Sequence, residues 1–127
     1  MTDRATIYIV DDDEVVRDSL KALLEVRQYA VQDFESGREF LAADPDLAGS
    51  CLILDIHMPG MTGLELLRAI RQRHPAAAAI LVTGRRDAPI QAAAEELGAV
   101  ALLDKPLAHG ALFGAIEQAL EQPRAGS

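Results

Sequence analysis

Three stretches of this 127-residue chain run apolar without a break and then stop at a polar residue. Ile7 to Val10, in a strand that opens at Thr6, runs into Asp11. Cys51 to Leu54 runs into Asp55, and Ala79 to Val82 runs into Thr83. A strand with one wet face alternates apolar and polar residues, because successive side chains point to opposite faces. An unbroken apolar run predicts instead a strand buried on both faces, as in a parallel sheet covered by helices.

The segments between these runs have helical spacing. Val15, Val16, Leu20, Leu23, Leu24 and Val26 predict a first helix with a stripe toward the core. A second strand is expected over 30–34. Ser36 then caps a short helix carrying Phe40 and Leu41. Gly60 and Thr62 break and restart the chain. A helix with Leu64, Leu66, Leu67 and Ile70 follows and stops before Pro75. After the fourth strand, over 79–83, an alanine-rich helix over 88–97 ends at Gly98, a C-terminal cap. A fifth strand is expected over 99–103 and a last helix over 108–122, ended by Pro123. Strict β-α alternation and right-handed crossovers predict a single α/β domain. Its sheet is doubly wound, five-stranded, parallel and flavodoxin-like. Residues 1–122 make the domain, and 123–127 read as a loose tail or the start of a linker.

Composition narrows the partners. The formal net charge of −8 opposes binding to nucleic acid or an anionic membrane. No apolar run approaches the roughly 20 residues of a membrane span. No charged leader precedes an apolar stretch, so a cytoplasmic location is the expectation. Cys51 is the only cysteine, which leaves no internal disulfide and predicts a small core residue.

In a doubly wound sheet, ligands sit beyond the carboxyl ends of the strands. Those ends carry Asp11-Asp12-Asp13, Asp55, Thr83-Gly84 and Asp104-Lys105-Pro106. Each has an ordinary explanation: helix capping for the aspartates, a strand-end turn for Asp55 and Thr83, a solvated side chain for Lys105. Together they make a crevice of clustered carboxylates with one hydroxyl and one ammonium. Such carboxylates repel, and a hard divalent cation relieves the repulsion. That chemistry suits phosphoryl transfer, with Asp55 as nucleophile, Lys105 as a point charge on the phosphoryl group and Thr83 as a hydrogen-bond donor to it. His57 borders the crevice. His74 and His109 receive no function.

The segments Ile9-Val10-Asp11-Asp12-Asp13, Leu54 to Gly63, Val82-Thr83-Gly84 and Asp104-Lys105-Pro106 together resemble the motifs of response-regulator receiver domains, in order and spacing. Thr83 to Pro89 and Gly98-Ala99-Val100 are most similar to the FixJ-type subfamily, where the receiver controls a DNA-binding domain. The resemblance implies a signalling phosphoacceptor that assists its own phosphorylation and dephosphorylation, and not a conventional enzyme. Asp55 takes the phosphoryl group from a sensor histidine kinase. Mg²⁺, or Mn²⁺ in its place, sits on Asp12, Asp55 and the His57 backbone carbonyl, with Asp11 behind these ligands or bound through water. Thr83 and Lys105 hold the phosphoryl group, and the Lys105-Pro106 bond is cis. A phosphorylation-dependent homodimer through the fourth helix, fifth strand and fifth helix is implied, around Ile90, Ala94, Val100 and Leu102. The output is transcription regulation.

Two positions depart from the family pattern: Leu102 replaces the usual aromatic switch residue, and Arg85 follows the threonine by two. Both bear on how the signal is read and how long the phosphate survives. Other readings fit less well. A haloacid-dehalogenase-like phosphohydrolase needs a second acid where His57 stands. A flavodoxin-like carrier needs a hydroxyl- and glycine-rich loop where the three aspartates stand. A receiver-like module that no longer takes phosphate conflicts with the presence of all five site residues.

Overall fold

The computed structural model describes residues 5–121. The expected extension of the last helix to Gln122, and the tail after it, lie outside the described residues. Strands and helices alternate as β1 Thr6–Val10, α1 Glu14–Val26, β2 Ala30–Phe34, α2 Gly37–Ala43 and β3 Cys51–Asp55. They continue as α3 Gly63–Arg73, β4 Ala78–Thr83, α4 Ala88–Glu96, β5 Ala101–Asp104 and α5 His109–Glu121. The sheet is wholly parallel, with strand order β2-β1-β3-β4-β5.

The unbroken apolar runs form the middle of the sheet. Every residue of β3 and β4 is buried. Period-2 geometry divides them between two cores. Ile7, Ile9, Cys51, Ile53, Ile80 and Val82 pack with Leu20 and Leu24 of α1 and Leu112, Ala115 and Ile116 of α5. Tyr8, Val10, Leu52, Leu54 and Leu81 pack on the other face with Phe40 of α2, Leu66, Leu67 and Ile70 of α3, and Ala94 of α4. Truncating any of these fully buried leucines or isoleucines to alanine is expected to cost about 2–5 kcal/mol.

Several expectations need correction. Val15 and Val26 were expected on the buried stripe of α1, yet they are 73% and 80% exposed. At 100° per residue they fall on the far side of a helix whose inner edge is set by Leu20 and Leu24. Ala94 was expected on an outer face, but it is buried against the sheet. β5 begins at Ala101, two residues late. Gly98 adopts φ +69° and the Ala99 N–H closes back on the Ala94 carbonyl at 3.0 Å, so Gly98 and Ala99 are used in leaving α4, while the Val100 N–H already donates to the Ala79 carbonyl of β4 at 2.7 Å. β4 begins one residue early, because Ala78 pairs with Cys51.

Candidate phosphoryl and metal site

The strand order reverses direction at β1, which lies between β2 and β3. This switch point opens a crevice at the carboxyl ends of β1 and β3. Asp11 and Asp55 stand there side by side, both buried at 4% exposure, with Asp12 exposed at the rim. The capping role falls to Asp13 alone, whose side chain accepts from the Val15 and Val16 N–H groups at 2.9 and 3.3 Å. Asp11 and Asp12 are thereby left to the crevice. Asp11 Oδ1 accepts from the Asp13 N–H at 2.9 Å, which fixes its carboxylate. From below, Arg17 donates to the Asp11 carbonyl at 2.7 Å and pairs with Asp33 at 3.0 Å.

One oxygen from each of Asp11, Asp12 and Asp55 falls within a 4.8 Å cluster. Lys105, at the end of β5, reaches both buried acids, with Nζ 3.3 Å from Asp11 Oδ2 and 3.4 Å from Asp55 Oδ2. The balance of forces is legible in the protonation equilibria. Burial, and then repulsion from Asp11, push the Asp55 carboxyl above the usual carboxylate range, although Lys105 and the His57 N–H pull the other way. Burial also disfavours the Lys105 ammonium, but attraction to Asp11 and Asp55 outweighs it and raises the lysine. One ammonium does not neutralise two buried carboxylates and a third at the rim. An all-oxygen set with surplus negative charge fits a hard divalent cation such as Mg²⁺.

Asp55, His57, Gly84, Arg85 and Lys105 line an open depression beside these acids. Among the described residues Thr83 is not part of that lining. Its hydroxyl is fully buried and turned to other partners: His57 Nε2 at 2.8 Å, the Arg85 carbonyl at 3.0 Å and the Arg85 N–H at 3.0 Å. The structure thus brings Asp11, Asp12, Asp55 and Lys105 together, places His57 and Arg85 at the mouth, and holds Thr83 next to the site. The Lys105-Pro106 bond is cis, as the resemblance implies.

Sequence reasoning missed three supports. Arg17 carries no sequence signal of its own. The Arg17 side chain that anchors the aspartate loop lies one helical turn after the Asp13 cap, a spacing that permits the contact without demanding it. Gly63 was not singled out. A Cβ there would overlap the Asp55 carbonyl oxygen and crowd Ile56 Cα, so only glycine lets α3 start against the end of β3. The third is the His57 side chain, whose contact with Thr83 links residues 26 apart in the chain. The capping box between Thr62 and Glu65 had a readable signal, Thr-x-x-Glu before an apolar run.

Comparison with known proteins agrees with this geometry. The family model described as "Response regulator receiver domain" matches residues 7–117. The chain is 38% identical over 122 residues to the transcriptional regulatory protein FixJ of Bradyrhizobium diazoefficiens, covering 96% of this chain and 60% of that protein. It is 40% identical over 121 residues to FixJ of Rhizobium meliloti, covering 95% and 59%. It therefore spans about three fifths of the length of these relatives. Among solved structures, FixJ-N superposes with a TM-score of 0.85 at 38% identity, covering 97% of this chain and 98% of that one. A fold shared over the full width of FixJ-N, at this identity, leaves one assignment: the chain belongs to the family of response regulator receiver domains.

Proposed function

We propose that Asp55 is the phosphoacceptor of this receiver and that Asp12, Asp55 and the His57 backbone carbonyl hold Mg²⁺ or Mn²⁺, with Asp11 behind these ligands or bound through water. The observation that carries this is the pairing of a surplus of buried carboxylate with one lysine shared between Asp11 and Asp55. Phosphorylation by a kinase is the general role of receivers, and receivers of FixJ-like regulators interact with sensor kinases.

An Asp55 carboxylate oxygen attacks the phosphorus of a phosphohistidine. The P–O bond forms as the P–N bond breaks, and the departing imidazole takes a proton. A bound divalent cation supplies positive charge that offsets the anionic phosphoryl oxygens during transfer. Lys105 is already within reach of Asp55 and shifts its ammonium to a phosphoryl oxygen, holding the product by charge. Thr83 turns its hydroxyl from the Arg85 carbonyl toward the phosphoryl group. Arg85, at the mouth, controls water access to the acyl phosphate. The acquired charge then switches an output, which by the names of the relatives is transcription regulation. With its net charge of −8, this chain is not itself the part that binds DNA.

Acetyl phosphate with Mg²⁺ should add one phosphoryl group by intact mass, and Asp55→Asn should add none. Equal labelling of the two proteins would remove Asp55 from the role.

A further inference from the structure

We propose that the His57 imidazole is a catch on Thr83: it holds the hydroxyl in its unphosphorylated position and must let go before that hydroxyl can reach a phosphoryl group on Asp55. This rests on the reading of Asp55 as phosphoacceptor and adds a positioning residue to it.

The argument begins with the capacity of a hydroxyl. Thr83 Oγ1 has one proton to donate and two lone pairs to accept with. Its proton goes to the Arg85 carbonyl at 3.0 Å and one lone pair takes the Arg85 N–H at 3.0 Å. The second lone pair faces His57 Nε2 at 2.8 Å, and the set closes when Nε2 carries a proton and donates. The hydroxyl is then saturated. It has no proton left for a phosphoryl oxygen, and it is buried away from the depression that Asp55 opens into.

The two contacts differ in what they oppose. The Arg85 pair is local to the turn after β4 and travels with that turn. The His57 contact ties β4 to the loop after β3, which also carries the Asp55 backbone onward, so it resists movement of Thr83 relative to Asp55. His57 itself lines the depression. Once released, its ring needs no burial and no rearrangement of the core. The catch is therefore weak enough to open and specific enough to set the threshold for opening.

A hydrogen bond between an exposed imidazole and a buried hydroxyl contributes modestly, which corresponds to about two- to tenfold in an equilibrium constant. Beryllium fluoride with Mg²⁺ mimics the phosphoryl group and reads the threshold directly. The His57→Ala variant should bind it about two- to tenfold more tightly than wild type. His57→Gln, whose amide can again donate to Thr83, should fall back toward wild type. In a Thr83→Ala background the His57→Ala change should lose its effect, because the catch has nothing to hold. A merely structural role for His57 would persist in that background. Unchanged beryllium fluoride affinity in His57→Ala, or the same gain with and without Thr83, overturns the catch while leaving the phosphoacceptor reading in place. Failure of wild-type protein to bind beryllium fluoride at all overturns both.

Discussion

The surroundings of Asp55 make its charge harder to hold than in water, and this gives the fold a pH signature. Because burial and Asp11 raise its carboxyl above the usual range, the native protein binds that proton more tightly than the unfolded chain does. In the window above the ordinary carboxylate value the native state therefore carries more protons, and stability falls as pH rises through it. Without metal, Asp55→Asn should raise the melting temperature by a few degrees at pH 7, and the gain should fade as pH drops to about 4, where the unfolded carboxyl also protonates. Saturating Mg²⁺ should narrow or reverse the difference, since it stabilises the wild type by binding only the folded form. A pH-independent gain, or a loss, would contradict the burial of a charged carboxylate there. Lys105 acts in the opposite sense. Its Nζ lies 3.3 and 3.4 Å from carboxylate oxygens of Asp11 and Asp55, the acids proposed for the metal site, so Lys105→Met should not weaken Mg²⁺ binding by calorimetry, yet should slow phosphorylation by acetyl phosphate at least about tenfold. A fall in metal affinity with normal phosphorylation would invert the roles assigned here.

At the level of elements, the site depends on how tightly β3 hands over to α3. Gly63 N–H donates to the Ile56 carbonyl at 3.0 Å, and the absence of a side chain lets the helix begin directly against the Asp55 backbone. Overlap with backbone cannot be relieved by a rotamer change. Gly63→Ala should cost about 3 kcal/mol by urea unfolding, at the upper end for overpacking, and should impair phosphorylation in the protein that still folds. Gly110→Ala, with open space around it, is the control and should be near neutral or stabilising. Equal effects at the two glycines would show that the close approach is not maintained in solution. These elements also mark what the sequence could reveal. β1, β3 and β4 were legible because double burial leaves no polar residue in the run, and the site acids were legible because they terminate such runs. β5 slipped because Ala99 looks like strand but is used in turning out of α4, and because Val100, whose N–H bonds to Ala79 of β4, precedes the regular pairing that begins at Ala101. The Thr83 hydroxyl was placed correctly in the chain and incompletely in space. Its partner His57 lies on another loop, and no local periodicity encodes a contact between loops.

Across the whole molecule, the turn that follows Thr83 is tied to the far edge of the sheet by Arg86. Its guanidinium donates to the Leu102 carbonyl at 2.6 Å and pairs with Asp104 at 3.2 Å, with Gln91 of α4 at 3.4 Å. Thr83 lies three residues earlier on the same turn, so any movement of that hydroxyl toward Asp55 pulls on a segment moored to both α4 and β5. Leu102 is half-buried and packed against the core on the α2, α3 and α4 face, without the polar tip or flat face of an aromatic residue. The change on this edge is therefore expected in the Thr83–Pro89 turn and the start of α4, with Leu102 nearly still. We propose the same edge as the surface of a phosphorylation-dependent homodimer. Ile90, Val100 and Leu102 leave a partly apolar strip there, and Arg86 and Asp104 bring opposite charges that two copies can exchange. Two chains of net charge −8 otherwise repel, so the association should strengthen as salt is raised from low to physiological values. With beryllium fluoride and Mg²⁺, sedimentation should show a dimer that is absent without them. Val100→Asp should weaken it by more than about tenfold, by placing a desolvated charge in the contact, while phosphorylation by acetyl phosphate proceeds at the wild-type rate. A protein that stays monomeric at high concentration with beryllium fluoride bound, or a Val100→Asp variant that dimerises as well as wild type, would move the output to another face.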